Sequence, residues 1–129
     1  AGATKFSEIV NYTNLDKSLV SKYLYTLENL GFIVKEFPFG SNYKSRLKGK
    51  GLYFLSDNYL RFWLRYVYNH YDLLEIGEID KVFKMSDFND GYIFEEFCRR
   101  LSKYKFGSVY RWWHKDKEID IIAYDDSKL

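Results

Sequence analysis

Between Leu15 and Gly31 the sequence specifies both ends of one helix, and this constrains the chain more than any other feature. Asp16 is a strong N-cap, because its carboxylate can accept from the free amides of a first turn. Leu15 and Val20 take the staple positions on either side of it. An apolar stripe runs through Leu19, Val20, Tyr23, Leu24, Leu27 and Leu30. Gly31 follows, where a left-handed residue closes a helix.

The flanks of this helix narrow the fold further. Phe6, Ile9 and Val10, at spacings of three and four, predict a short helix over 6–12, broken at Thr13-Asn14. Phe32 to Phe37 has β character and stops before Pro38. Gly40 to Gly51 reads as a turn-rich basic loop and Leu52 to Leu55 as a second strand, so 32–55 reads as a β-hairpin. Helix, turn, capped helix and hairpin with a basic tip is the order of a winged helix-turn-helix. That fold normally begins with one more helix, which would precede Ala1. The start also lacks an initiator Met, so a fragment of a longer protein is expected.

The rest of the chain has a different texture. Asn58 to about Glu75 predicts a helix that is apolar nearly all round, and therefore largely buried. Arg61, Arg65, Asn69 and Asp72 form its polar stripe. The two arginines are expected to meet carboxylates, at Asp57 or in the acidic 75–80 stretch. A short element is expected around Ile79–Phe83. An amphipathic helix follows from Gly91 to about Tyr104, with Ile93, Phe94, Phe97, Cys98 and Leu101 as its inner face. From Ser108 the pattern is a β-meander: Val109 to Trp113, a polar turn over 114–117, Glu118 to Tyr124, and a further strand beginning at Leu129. The fold class expected is α+β, divided into 1–57 and 58–129.

With 129 residues, one domain or two small ones sharing an interface is the soft expectation. The net charge of +2 does not by itself argue for nucleic acid. Its distribution is more telling: residues 1–57 hold eight Lys/Arg against five Asp/Glu, and residues 58–129 hold twelve against thirteen. A single cysteine, Cys98, excludes an internal disulfide, and a reducing, cytoplasmic setting is expected. There is no apolar run of about 18 residues and no leader-like start, so no membrane association is expected. His70 and His114 lack metal-ligand spacing. No phosphate-loop, nucleophile-elbow or Cys/His pattern is present.

Lys17, Ser21 and Tyr25 recur at i, i+4 and i+8 on the capped helix, flanked by Ser18 and Lys22. This small, donor-rich face suits approach to a DNA groove and its phosphates. A solvated helix surface fits the composition equally well. Tyr43 to Lys50 carries Lys44, Arg46, Lys48 and Lys50 and no acid. Such a flexible tip can follow a sugar-phosphate backbone and release counterions; a solubilising edge loop is the alternative. Together these nine residues make duplex DNA the expected partner. Arg61-Phe62-Trp63-Leu64-Arg65-Tyr66 interleaves cations and rings as a single-strand platform would, but core packing suits so apolar a helix better.

Glu118 and Asp120 stand at i and i+2 among Ile119, Ile121, Ile122 and Ala123, on one face of a strand. A metal-dependent nuclease places a carboxylate at the end of a buried strand to hold Mg²⁺. Exposed acids alternating with core isoleucines give the same pattern.

Several phrases combine at this point. They are Thr4-Lys5-Phe6-Ser7-Glu8-Ile9, Ser21 to Gly31, Leu55 to Trp63, Phe94-Glu95-Glu96-Phe97-Cys98, Arg111-Trp112-Trp113 and Glu118 to Ala123. In this order the chain resembles the C-terminal region of archaeal ATPases of the AAA+/STAND type, the DEXX-box ATPase C-terminal domain family. The resemblance implies an upstream ATPase module that binds ATP, then a winged helix, then a truncated PD-(D/E)XK nuclease-like part, a partial restriction-endonuclease-like α/β unit. It implies Glu95 as the first-helix acid and Asp120 as the central Mg²⁺-binding acid, with an E-x-K after Leu129 completing the site. Asn58 departs from the family's usual Pro after Ser-Asp. No cofactor is expected in this chain itself, and alone it is not expected to cut DNA. Three readings stay open: a DNA-docking end of an archaeal ATPase, a Mg²⁺-dependent nuclease active only in the intact protein, and a stand-alone winged-helix regulator. Homo-oligomers are compatible with each.

Overall fold

The computed structural model describes residues 3–47, 51–85 and 91–125. Its first helix, α1 (Phe6–Thr13), is fixed at its start by Glu8. The Glu8 carboxylate accepts from the amides of Thr4 at 3.2 Å and Lys5 at 3.1 Å. Asn14, left-handed at φ 54°, ends α1 and donates its amide to the Val10 carbonyl at 3.0 Å. Helix α2 (Lys17–Asn29) opens on Asp16, whose carboxylate accepts from the Ser18 amide at 2.7 Å. It closes on Gly31 at φ 77°. There the amide of Gly31 donates to Glu28 and that of Phe32 to Leu27, both at 3.0 Å. This pair of bonds satisfies the last carbonyls and needs a left-handed residue between them.

Val20 and Leu24 of α2 meet Ile33 in a small core, with Phe6, Ile9, Val10, Tyr53 and Leu55 packed around it. The expected stripe is wider than the buried one: Leu19, Tyr23, Leu27 and Leu30 stay exposed. Strands β1 (Ile33–Glu36) and β2 (Leu52–Leu55) pair antiparallel, Ile33 opposite Leu55 and Glu36 opposite Leu52. Lys5 adds a bridge to Leu52, and the Thr4 carbonyl accepts the Tyr53 amide at 2.8 Å, giving β2 a partner on its second side.

The segment between these strands corrects the expectation of a plain loop. Tyr43–Leu47 forms a helical turn, α3, opened by the Arg46 amide donating to the Asn42 carbonyl at 3.1 Å. The glycines around it masked five residues that tolerate helix. Lys48 and Lys50 lie outside the described residues.

The 58–75 segment is also corrected. It is neither one helix nor largely buried. It runs as α4 (Asn58–Phe62), a π-helical turn (Trp63–Val67), a 3₁₀ turn (Tyr68–His70) and α5 (Tyr71–Glu75). Tyr66 is buried, whereas Tyr59, Phe62, Trp63, Leu64, Tyr68 and Tyr71 are exposed. The segment meets β2 at its start and α6 (Ile79–Met85) at its end, which is too little surface to enclose an apolar cylinder. Arg61 lies over the Tyr92 ring, 3.6 Å from its centroid, where a carboxylate partner was expected, and Arg65 lies over Tyr66 at 5.3 Å.

Helix α7 (Gly91–Phe106) lies along the hairpin of β3 (Gly107–His114) and β4 (Lys117–Asp125). Most of its expected inner face is turned outward: Phe94 is 70% exposed, and Phe97 and Leu101 are exposed too, while Ile93 and Cys98 are half-buried. The reason is electrostatic. Glu95, Glu96 and Arg99 face the body of the protein, where charged partners receive them: Arg99 lies 3.1 Å from Glu36 on β1 and 3.3 Å from Glu96. The strand expected from Leu129 lies outside the described residues. The architecture is α+β, with two two-stranded antiparallel sheets among the described residues. No described helix is long and apolar enough to cross a membrane.

Candidate nucleic-acid interface

The outer flank of α2 faces away from the Val20–Leu24 core because a helix with a two-residue buried strip leaves the rest of its circumference free. Lys17, Ser18, Ser21, Lys22 and Tyr25 are all exposed there. Ser18 is not a free donor, however: its hydroxyl, like its amide, donates to Asp16. These bonds, the hydroxyl's first, hold the Asp16 carboxyl below its ordinary range. The flank therefore presents Lys17, Ser21, Lys22 and Tyr25 as groups open to a partner, with Ser18 and Asp16 fixing the first turn beneath them.

The second basic element is α3. Lys44 is exposed. Arg46 lies over Phe37, 5.8 Å from the ring centroid, and Lys35 approaches the same ring at 5.4 Å. Aromatic stacking of this kind orients a cation without neutralising it.

Of the two acids singled out in the C-terminal half, Glu95 pairs with a residue that sequence reasoning gave no role, and the charge of Asp120 is felt at Glu95. Arg111 on β3 is 9% exposed and ion-pairs with Glu95 of α7. The β3–β4 register shifts between Tyr110–Ile122 and Trp112–Ile119, so Asp120 and Ile121 together oppose Arg111. Such a bulge re-aims the strand locally. Glu95 is held above its ordinary carboxyl pKa, first by burial; Arg111 lowers it and the charge of Asp120 raises it. Arg111 also lies over Phe54 of β2 at 4.7 Å and Tyr92 at 5.6 Å. Its position in the chain, directly before two tryptophans, was the available signal.

Of the two acids, Glu95 does not offer a free carboxylate to Mg²⁺. Glu95 is engaged by a guanidinium, so the cation its charge calls for is already part of the chain. Among the described residues no three carboxylate, imidazole or thiolate side chains are grouped to hold a metal.

Residues 63–129 match the model of the DUF234 family, archaeal and bacterial proteins of unknown function. Residues 1–36 match the IclR helix-turn-helix domain. An uncharacterized protein of Methanocaldococcus jannaschii is 34% identical over 137 residues, which cover 98% of this chain and 30% of that protein. The chain thus spans less than a third of that relative's length. No solved structure matches.

Proposed function

The chain belongs to the DUF234 family, and we propose that it is a DNA-docking unit that binds duplex through the exposed flank of α2 and the basic α3. The observation that carries this reading is the outward-facing Lys17, Ser21, Lys22 and Tyr25 on the second helix of a helix-turn-helix. The division of labour is drawn near residue 57, between the two matched stretches. The first half is read as a winged helix. Support comes from the Lys5–Leu52 bridge, since a short strand ahead of the first helix of the pair, added to the hairpin, is how winged helices complete their sheet. Lys44 and Arg46 then belong to the wing. By the resemblance described above, the unit docks an ATP-hydrolysing module of the same polypeptide onto DNA, and the greater length of the relative leaves room for one.

The test is fluorescence anisotropy with a random-sequence labelled duplex at low salt. The wild-type chain should bind in the micromolar range or tighter at low salt, and Lys22→Glu combined with Lys44→Glu should abolish the signal. Binding unchanged by that double reversal would sink the assignment of this surface. Cleavage through Asp120 and Glu95 is not part of the proposal, because the Glu95 carboxylate is taken up by Arg111.

A further inference from the structure

A cavity of about 490 Å³ opens between the segment that follows β1 and the end of β3, with Phe37, Phe39, Ser41, Trp112, His114 and Lys115 among its walls. Small-molecule sites commonly fall in this size range. Its two sides are fixed to each other. The Phe39 amide donates to the Arg111 carbonyl at 2.8 Å. The Phe39 ring packs on Tyr110 and Tyr124, with centroids at 5.0 and 5.2 Å. On the same strand Trp112 and His114 stack their rings at 6.4 Å.

Three chemistries meet there. Aromatic π-faces line the walls. Cations are close by: Lys115 stands in the wall itself, and Lys35 and Arg46 lie over the ring of the wall residue Phe37. Ser41 adds a polar residue to the wall, its hydroxyl without a hydrogen-bond partner. A planar ring, a negative charge and polar edges in one molecule answer all three. We infer that the cleft between Phe39 and Trp112 is a nucleotide site, taking the base among the rings and the phosphate within reach of the cations. The inference deepens the docking reading and rests on it for the choice of a nucleic-acid ligand, since α3 follows directly from the cavity wall.

The probe is 2-aminopurine, a fluorescent base that is quenched on stacking. It is offered as the free ribonucleoside monophosphate, as the unphosphorylated riboside, in a single-stranded 12-mer and in the paired duplex of that 12-mer. Saturable quenching is expected with the monophosphate, the single strand or both. Quenching equal for both assigns a free nucleotide as sufficient, and quenching by the strand alone assigns an unpaired base within DNA. Trp112→Ala should weaken it about tenfold or more, whereas Trp112→Phe, which keeps a ring, should stay within about threefold. Lys115→Glu should weaken it as well and provides a second reading if Trp112→Ala does not fold. No saturable quenching, quenching indifferent to these variants, or riboside binding as tight as monophosphate would each overturn the inference. Anisotropy with the labelled duplex separates the two surfaces. Trp112→Ala that keeps duplex binding but loses quenching implicates the cavity alone, and quenching that persists without duplex binding removes the α2 surface alone.

Discussion

The Arg111 guanidinium, nearly sealed from solvent on β3, holds the carboxylate of Glu95 on α7 and lies against Phe54 on the opposite hairpin. One cation thereby touches three elements drawn from both halves of the chain. Arg61 reaches the same cluster through the Tyr92 ring, and Arg99 adds its pair with Glu36.

Replacing Arg111 by Met should destabilise the fold by about 3 kcal/mol in urea unfolding, because removing one member of a buried pair strands the other charge. The double variant Arg111→Met, Glu95→Leu should recover most of that loss. The Arg111 Nε is buried without a partner, so the pair is incompletely satisfied and an apolar substitute forfeits little. A double variant as weak as the single one would show that the arginine acts through its ring contacts instead.

Glu95 should give the stability a pH dependence of defined sign. Burial outweighs the pull of Arg111, so its folded pKa lies above its unfolded value. A carboxyl raised in this way contributes stability that is complete below its unfolded pKa and lost as pH rises through the folded one. The melting temperature of Glu95→Gln relative to wild type should therefore increase across the window just above the ordinary carboxylate range. Asp120→Asn, which removes a raising charge, should shrink the effect. A relative melting temperature that falls with rising pH would contradict it.

Asp16 should behave in the opposite sense. Its folded pKa is lowered, first by the Ser18 hydroxyl and then by the Ser18 amide. The stability it contributes is present above its unfolded pKa and disappears as pH falls through the folded one. Asp16→Ala should lower the melting temperature at neutral pH, and the difference from wild type should close in acid. Thermal scans of both proteins at several pH values decide this.

The salt dependence of duplex binding should count the cations in contact. Each phosphate neutralised contributes about 0.9 to the slope of log K against log salt. Lys22→Gln should flatten the slope by about one and Lys22→Gln with Lys44→Gln by about two, with little preference among duplex sequences. Unchanged slopes would place the phosphates elsewhere.

Local chemistry made the first half readable. Asp16 and Gly31 act on amides and carbonyls within four residues of themselves, so their roles follow from neighbours in the sequence. The same holds for the break at Asn14 and the two strands bounded by Pro38 and Gly51. The α3 turn escaped because glycines on both sides resemble a loop whether or not a short helix lies between them.

The second half shows where such reasoning stops. Helical spacing identified α7 but not which face turns inward. Apolar Phe94, Phe97 and Leu101 implied one orientation, and the fold adopts another because Arg111 and Glu36 wait on the side of Glu95 and Arg99. Glu95 and Arg111 are 16 residues apart, and Arg99 and Glu36 are 63. The sequence alone thus determined the capped helix, its exposed basic flank and the two hairpins, since those depend on contacts a few residues long. Only the tertiary structure decided that Glu95 pairs with an arginine on β3, and that Phe39 and Trp112 line one cavity. Those outcomes depend on which distant charges and rings the packing brings within a few ångströms, and no spacing along the chain encodes that.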